Sequence, residues 1–128
     1  MSPRTKIHAY LEIAEDKYSA GVARISMASN YRAFALMANV RNDGGITPVA
    51  PLRGFPPAMC KGAEEYFKEV EAESGKPLHS KTFLTLPEME SVLAQVDGFI
   101  PGVVACVWAM QGLTKKGSNP RFVIAFED

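Results

Sequence analysis

The chain has 128 residues, 47% of them hydrophobic, and its 14 basic residues balance its 14 acidic residues. This length and apolar content predict one domain, residues 1–128, with a core of its own. Zero net charge argues against binding duplex nucleic acid through many phosphates, but a small anion needs only two or three local donors. The longest apolar run, 99–110, is too short for a membrane span, and no signal peptide is visible, so we expect a cytoplasmic protein without a membrane partner.

Alternating apolar residues predict strands near both ends of the chain. Residues 6–15 alternate with the period of a strand, and residues 21–28 form a second candidate strand paired with the first through a turn at 16–20. A short β-prone segment spans residues 81–86. Residues 121–127 alternate again and are predicted to join the N-terminal hairpin.

Four segments between these strands predict helices. The first begins at an N-cap in Ser29-Asn30 and ends at Val40 or Arg41, and the second begins at Pro57 after a loop that holds four prolines. The third carries a capping box at residues 85–88. The fourth begins at Pro101 and has hardly any polar face, so it is either central to the core or part of a subunit interface. Together, the predicted strands and helices indicate an α+β fold, with a small, mainly antiparallel sheet packed against about four helices.

The sequence contains no signature of catalysis or metal binding. His8 and His79 do not lie at a zinc-site spacing from Cys60 and Cys106, and the cysteines, in predicted apolar helices, are expected to be buried reduced thiols. Phosphate-binding loops and hydrolase motifs are missing from the sequence. We therefore expect no catalytic residue, no metal and no cofactor, and we favour a binding protein over an enzyme.

Polar side chains at the ends of apolar segments form the candidate ligand site. His79, Ser80 and Lys81 offer an imidazole, a hydroxyl and an ammonium suited to a phosphate or a ribose, although the hydroxyl could instead satisfy backbone groups while Lys81 points to water. Arg53 lies on the proline-rich loop, where it could grip an anion in bidentate fashion or form a structural salt bridge.

Two further candidates flank the first predicted helix. Arg41 and Asn42 end it, and a structural interpretation is favoured because a basic last turn complements the helix dipole and Asn commonly terminates helices. Tyr31 could stack on a base, but aromatic residues at helical spacing usually belong to the core. The same reasoning places Trp108 in the core.

Four stretches of the chain resemble the patterns of one protein family. Residues 30–42 resemble the pattern R-N-Y-x-L-F-A-x-L-A-x-V-R-N, and residues 53–56 resemble R-G-L-P. Residues 79–88 are similar to H-S-x-S-W-L-T-L-x-E, and residues 121–128 to an R-x-V-F-x-F-D-N ending. These patterns belong to a family of small accessory proteins encoded in bacteriophage and prophage genomes. The resemblance implies a phage accessory protein more than it implies a mechanism.

Phage accessory proteins of this size commonly act by binding, so our hypothesis is a homo-oligomer that sequesters a small nucleotide-derived immune signal in the host cytoplasm. Arg41 and Arg53 would hold phosphates, His79, Ser80 and Lys81 would contact phosphate or ribose, and Tyr31 would stack on a base. Asn42 completes the expected ligand-binding set. One alternative is a metal-independent phosphodiesterase or lyase with His79 as general acid or base. Another is an inhibitor that docks on a host enzyme through the last helix or the proline loop.

Overall fold

A computed structural model describes residues 4–128 and confirms the α+β fold. Four strands and four helices follow one another as β1 (Lys6–Ala14), β2 (Ser19–Arg24), α1 (Tyr31–Ala38), α2 (Lys61–Ser74), β3 (His79–Leu84), α3 (Leu86–Gln95), α4 (Pro101–Lys115) and β4 (Pro120–Glu127). No helix in this part of the chain is long and apolar enough to cross a membrane.

The strands form one antiparallel sheet in the order β2-β1-β4-β3. As predicted, β4 joins the N-terminal hairpin, and it pairs with β1 from Lys6 opposite Glu127 to Ile13 opposite Pro120. The predicted bounds of β2, 21–28, are wrong. Ala14 already pairs with Ser19 across the turn, so the strand starts earlier, and after Arg24 the chain leaves the sheet so that Ile25 and Met27 pack on the core.

Both faces of the sheet are covered, because β4 sends alternate side chains into two separate cores. Phe122, Ile124 and Phe126 enter the larger core beside α1, α3 and α4, whereas Val123 and Ala125 enter a smaller core beside α2. Burying one such Phe contributes roughly 1.5–3 kcal/mol. β4 therefore contributes side chains to the packing of both layers.

The first helix is shorter than predicted. The Asn30 side chain caps α1 by accepting from Ala33 N, as expected, but α1 ends at Ala38 because Asn39 adopts a left-handed conformation and its N–H bonds Ala35 O. The predicted end at Val40 or Arg41 is wrong. Arg41 lies beyond the helix with φ 53°, so it is not a basic residue of the last turn and the macrodipole argument does not apply to it.

The second helix begins at Lys61 rather than at the predicted Pro57. Ala58 is left-handed, and Cys60 acts as N-cap with its Sγ accepting from Ala63 N at 3.4 Å. The Cys60 N–H donates to the buried Glu12 Oε1 at 2.9 Å, which fixes the entry to α2. The contact between Cys60 and Glu12 is tertiary, so a proline alone did not reveal the true start.

The third strand and third helix meet at the predicted capping box. Thr85 N donates to Glu88 Oε1 at 2.9 Å, and Pro87 lies in the first turn of α3. Because Thr85 is the N-cap, β3 ends at Leu84 instead of 86, and it begins at His79 instead of 81. The earlier start places His79 opposite Phe126 of β4, with an irregularity in register before Thr82.

The fourth helix buries only one side. Val103, Cys106, Val107 and Met110 are fully buried, but Trp108 is 68% exposed, so its predicted place in the core is wrong. Both cysteines are free and buried, as expected, although Cys60 caps a helix instead of lying inside one. Burial raises the pKa of Cys106 to about 12, which keeps it a protonated thiol.

Tyr10 of β1 fits into a space left by two glycines. A Cβ added to Gly21 would lie 2.4 Å from the Tyr10 Oη and 3.0 Å from its Cε1, and a Cβ on Gly62 would lie 2.7 Å from the same Oη. Such distances are far inside van der Waals contact. The two glycines thus let the phenol ring of Tyr10 lie between β2 and the first turn of α2.

Candidate functional site

An open pocket of about 480 Å³ lies where the ends of three elements meet. It is bounded by the residues just after α1, by the start of β3 and by the residue that follows β4. Its lining, here called the His79–Asp128 pocket, consists of Asn39, Val40, Arg41, His79, Ser80 and Asp128.

Side chains in and beside this pocket form a continuous chain of polar contacts. Ser80 Oγ lies 3.0 Å from His79 Nδ1, and His79 Nε2 lies 3.1 Å from Asp128 Oδ2. Nε2 is buried and faces the carboxylate at ion-pair distance, without an aligned hydrogen bond to any residue in 4–128. Thr5 Oγ1 donates to Asp128 Oδ1 at 2.9 Å and accepts from Arg41 Nε at 2.7 Å.

The pocket concentrates unusual backbone conformations. Only four non-glycine residues in 4–128 have positive φ, and three of them line this pocket: Asn39 at 58°, Arg41 at 53° and Ser80 at 52°. Such conformations cost of order 1–3 kcal/mol for most residues and cluster at ligand clamps and active sites. The fold thus holds the pocket in a shape that the local sequence alone disfavours.

The electrostatics of the pocket are mixed. The Thr5 hydroxyl, and after it His79 and the charge of Arg41, lower the pKa of Asp128, so its carboxylate is ionised at neutral pH. Lys76 Nζ also reaches the Asp128 backbone oxygen at 3.3 Å. An anion entering the pocket would meet the donors Arg41 and His79, but it would compete with Asp128 for them.

Four of the predicted site residues are brought together here. Arg41, His79 and Ser80 line the pocket, and the guanidinium of Arg41 lies 5.4 Å from the ring centroid of Tyr31, which is 42% exposed. Tyr31 is therefore not a core residue, and the aromatic core position is taken by Phe34. The stack of Tyr31 with Arg41 forms the edge of the candidate site.

Asn42 is next to the pocket but has a structural role. Its Nδ2 donates to Asn39 Oδ1 at 2.6 Å and to Ile46 O at 2.5 Å, while its Oδ1 accepts from Ile46 N at 2.8 Å. These bonds close the turn that follows α1. Asn42 therefore supports the site through its bond to Asn39.

Arg53 lies away from the pocket in a structural salt bridge. Its guanidinium bonds both carboxylate oxygens of Glu88, at 2.7 and 2.5 Å, and donates to Phe83 O at 2.7 Å. Burial alone would raise the pKa of Glu88, but the bonds from Arg53 and from Thr85 N together outweigh it and lower the pKa. The pair ties the proline loop to the capping box of α3.

Lys81 is also separated from the pocket. Its Nζ lies 5.3 Å from the ring centroid of Phe55, and it lines a different cavity of about 380 Å³ between the proline loop and α2. Phe67 and Met59 form the apolar part of that cavity. The structure thus divides the seven predicted residues into a pocket group and two outliers, Arg53 and Lys81, with Asn42 as a support.

Sequence reasoning missed Thr5 and Asp128, which lie 123 positions apart. The β1–β4 register pairs Lys6 with Glu127, so the residues just outside this pair become neighbours. The alternation of both strands was visible in the sequence, but their register was not, and only the register brings these two side chains to His79.

A second charged cluster is built from Glu12 and Arg121. Glu12 is fully buried. Its Oε2 accepts a hydrogen bond from Arg121 Nε, and its Oε1 accepts one from Cys60 N. Arg121 also reaches Ala58 O at 3.3 Å. The carboxylate is enclosed and satisfied, so this cluster holds the fold together and offers no room to a ligand.

No group of three or more His, Cys, Asp or Glu side chains in residues 4–128 is arranged to hold a metal ion. Comparison with protein-family models, curated proteins and solved structures found no match to this chain. The phage resemblance and the identity of a ligand therefore stay predictions, and the functional argument depends on the geometry of the His79–Asp128 pocket.

Proposed function

We propose that the protein is a phage accessory protein that sequesters a small, anionic, nucleotide-derived immune signal in the host cytoplasm. The observation that carries the proposal is the His79–Asp128 pocket, where three left-handed residues hold Arg41, His79 and Ser80 around one open space. An anion needs only a few such donors, and donors held in place by the backbone bind with little loss of conformational entropy.

In the proposed complex, Arg41 and His79 bind a phosphate and displace the Asp128 carboxylate from between them. Ser80 contacts the phosphate or a ribose hydroxyl. The exposed ring of Tyr31, adjacent to Arg41, stacks on the base. Self-association is part of this proposal, because the apolar exposed face of α4 favours an oligomer.

The test is to identify what the purified protein retains. The full chain is incubated with a panel of nucleotide second messengers, free ligand is removed, the protein is denatured and the released compounds are identified by mass spectrometry. An intact nucleotide supports sequestration. Free ligand at 100 times its Kd also raises the free energy of unfolding by about 2.7 kcal/mol, so the same ligand must raise Tm. No retained nucleotide and no thermal shift would reject the proposal and favour a protein partner.

Two arginine variants form the matched pair for this test. We expect Arg41→Ala to lose the retained ligand, because it removes the main donor of the pocket. Arg53→Ala removes the same charge outside the pocket and should keep the ligand. Equal loss in both variants would argue against this pocket as the binding site.

A second candidate function is favoured by the contacts of His79. The imidazole lies between a hydroxyl, Ser80, and a carboxylate, Asp128, as a general base does between its nucleophile and its orienting acid. A phosphodiesterase of this kind would transfer the Ser80 proton to His79 Nδ1 as Oγ attacks phosphorus. The leaving alkoxide would take that proton as its bond to phosphorus breaks. Water would then give a proton to His79 and attack phosphorus, and Ser80 Oγ would take the proton back as its bond to phosphorus breaks and the phosphate leaves.

The variant Asp128→Asn separates the two candidates because they predict opposite effects. In sequestration, removing a competing negative charge should tighten binding of an anionic ligand by about tenfold. In catalysis, the same change leaves the imidazolium without its counter-charge and should reduce cleavage strongly. The readouts are ligand Kd for the first and product formation by mass spectrometry for the second.

A further inference from the structure

The most exposed large hydrophobic side chains in residues 4–128 are Phe99, at 77%, and Trp108, at 68%. Trp108 lies on α4 and Phe99 lies two residues before its first residue, Pro101. The neighbouring exposed positions of α4 are small or apolar, namely Pro101, Ala105 and Gly112. Exposed aromatic side chains beside small and apolar positions on one helix are typical of a protein interface.

Residues 98–114 carry no charge of their own, although Glu90 of α3 meets α4 at Gln111, and charges of opposite sign lie at the two ends of the surface. No Asp, Glu, Lys or Arg occurs between Asp97 and Lys115. Asp97 is exposed at the N-terminal end, and Lys115 and Lys116 are exposed at the C-terminal end. Two copies of the helix placed side by side therefore match in charge when they run antiparallel and repel when they run parallel.

The position of Trp108 also suits an antiparallel pair. It is the middle residue of α4, Pro101–Lys115, so a twofold axis there places Val104 opposite the partner's Gly112. Helical side chains lean toward the N-terminus of their helix, which directs the ring of Trp108 over the partner's Gly112. A Cβ added to Gly112 meets nothing within 4 Å, so the surface there is open and can receive the ring.

We infer that two copies of this chain form a twofold dimer through antiparallel α4 helices centred on Trp108. Isologous contact of this kind is the commonest form of homo-oligomer. The inference deepens the self-association within the proposed function but needs no ligand. Mass spectrometry of retained nucleotides tests the pocket, and the experiments below test the dimer, so the failure of one is distinguishable from the failure of the other.

The first experiment is sedimentation velocity on the full chain between about 1 µM and about 100 µM, spanning typical dimer affinities. We expect a monomer–dimer equilibrium in the wild type and a monomer in Trp108→Glu. The matched control is Tyr18→Glu, which changes another exposed aromatic residue, 62% exposed, outside α4 and should dimerise as the wild type does. Circular dichroism checks that both variants fold.

A charge exchange tests the antiparallel orientation. Asp97→Lys alone, or Lys115→Glu with Lys116→Glu, should weaken the dimer by about tenfold, since each contact occurs twice across the twofold axis. All three changes together restore the match and should restore the affinity. A parallel dimer would not show this rescue.

Trp108 is the only tryptophan, so its fluorescence reports the interface directly. Its emission should shift to longer wavelength as the dimer dissociates on dilution. A wild type that stays monomeric at the highest concentration, equal behaviour of Trp108→Glu and Tyr18→Glu, or the absence of charge rescue would each overturn the inference.

Discussion

The two ends of β4 carry charged clusters that differ in their exposure to solvent: one is enclosed and the other is open. At its start, Arg121 pairs with Glu12, which is fully buried and also accepts from the Cys60 backbone. Just beyond its end, Asp128 pairs with His79 in an open pocket, and the side chains of both are substantially exposed. Charge alone therefore does not indicate a functional site. Enclosure and complete hydrogen bonding indicate a structural role, whereas an open pocket with left-handed backbone indicates a place for a ligand.

The largest expected effect is at the buried end. Glu12→Gln keeps the shape but leaves Arg121 without its counter-charge, and breaking a buried pair from one side costs about 3–5 kcal/mol. Urea unfolding followed by circular dichroism measures this loss. The double variant Glu12→Leu with Arg121→Met removes both charges and should recover part of the stability, because the buried Cys60 N–H still loses its acceptor. A loss below about 1 kcal/mol for Glu12→Gln would show that the pair does not hold the fold.

The half-buried pair Arg53–Glu88 should give an intermediate effect. The pKa of Glu88 is lowered in the folded state, so its contribution is present above the unfolded pKa of about 4.3 and is lost as pH falls through the folded value. Glu88→Gln should lose roughly 1 kcal/mol at pH 7, and its difference from wild type should shrink steadily as pH falls below the unfolded pKa. Urea unfolding across a series of acidic pH values is the measurement. A difference that stays constant across the series would assign the effect to packing.

The open end should contribute least to stability. Asp128→Asn changes an exposed side chain, so its free energy of unfolding should stay within about 0.5 kcal/mol of wild type. The comparison with Glu12→Gln is the useful result. Both carboxylates are paired with residues on neighbouring elements, yet the loss in free energy of unfolding should be severalfold larger for Glu12→Gln. Equal losses would mean that the pocket is a structural cluster like the other.

Cys60 offers a probe of the buried end that reports local opening at the start of α2. In a Cys106→Ala background, thiol labelling at pH 8 should be slow, because Cys60 is 5% exposed and burial raises its pKa. Adding Glu12→Leu removes the acceptor of the Cys60 N–H, so it should loosen the start of α2 and speed labelling, whereas adding Asp128→Asn should not. Equal labelling rates in the two double variants would mean that the start of α2 opens independently of the Glu12 contact.

Local chemistry was predictable from the sequence, but tertiary register was not. The capping box at Thr85 and Glu88 and the alternation of β1 and β4 depend on neighbouring residues, and the structure confirms them. Glu12 alternates with apolar residues and therefore resembles a solvent-facing position. Its burial comes from α2, which covers the second face of the sheet.

The candidate site was predictable only in part for the same reason. Arg41, His79 and Ser80 were marked by their places at the ends of segments, and the fold does bring them together. Asp128 and Thr5 join them only through the pairing of the first and last strands. Trp108 was misplaced because an all-apolar helix does not reveal from its pattern which side faces the core.

Tyr10 and its two glycines constrain the order in which this sequence can change during evolution. An alanine at Gly62 would collide only with the Tyr10 hydroxyl oxygen, so Tyr10→Phe occurring first would open that route. An alanine at Gly21 would also press on the ring carbons Cε1 and Cζ, at 3.0 and 3.1 Å, and losing the hydroxyl would not relieve it. The effect of Gly62→Ala should therefore depend on the residue at position 10, while Gly21 should remain glycine as long as that residue is aromatic.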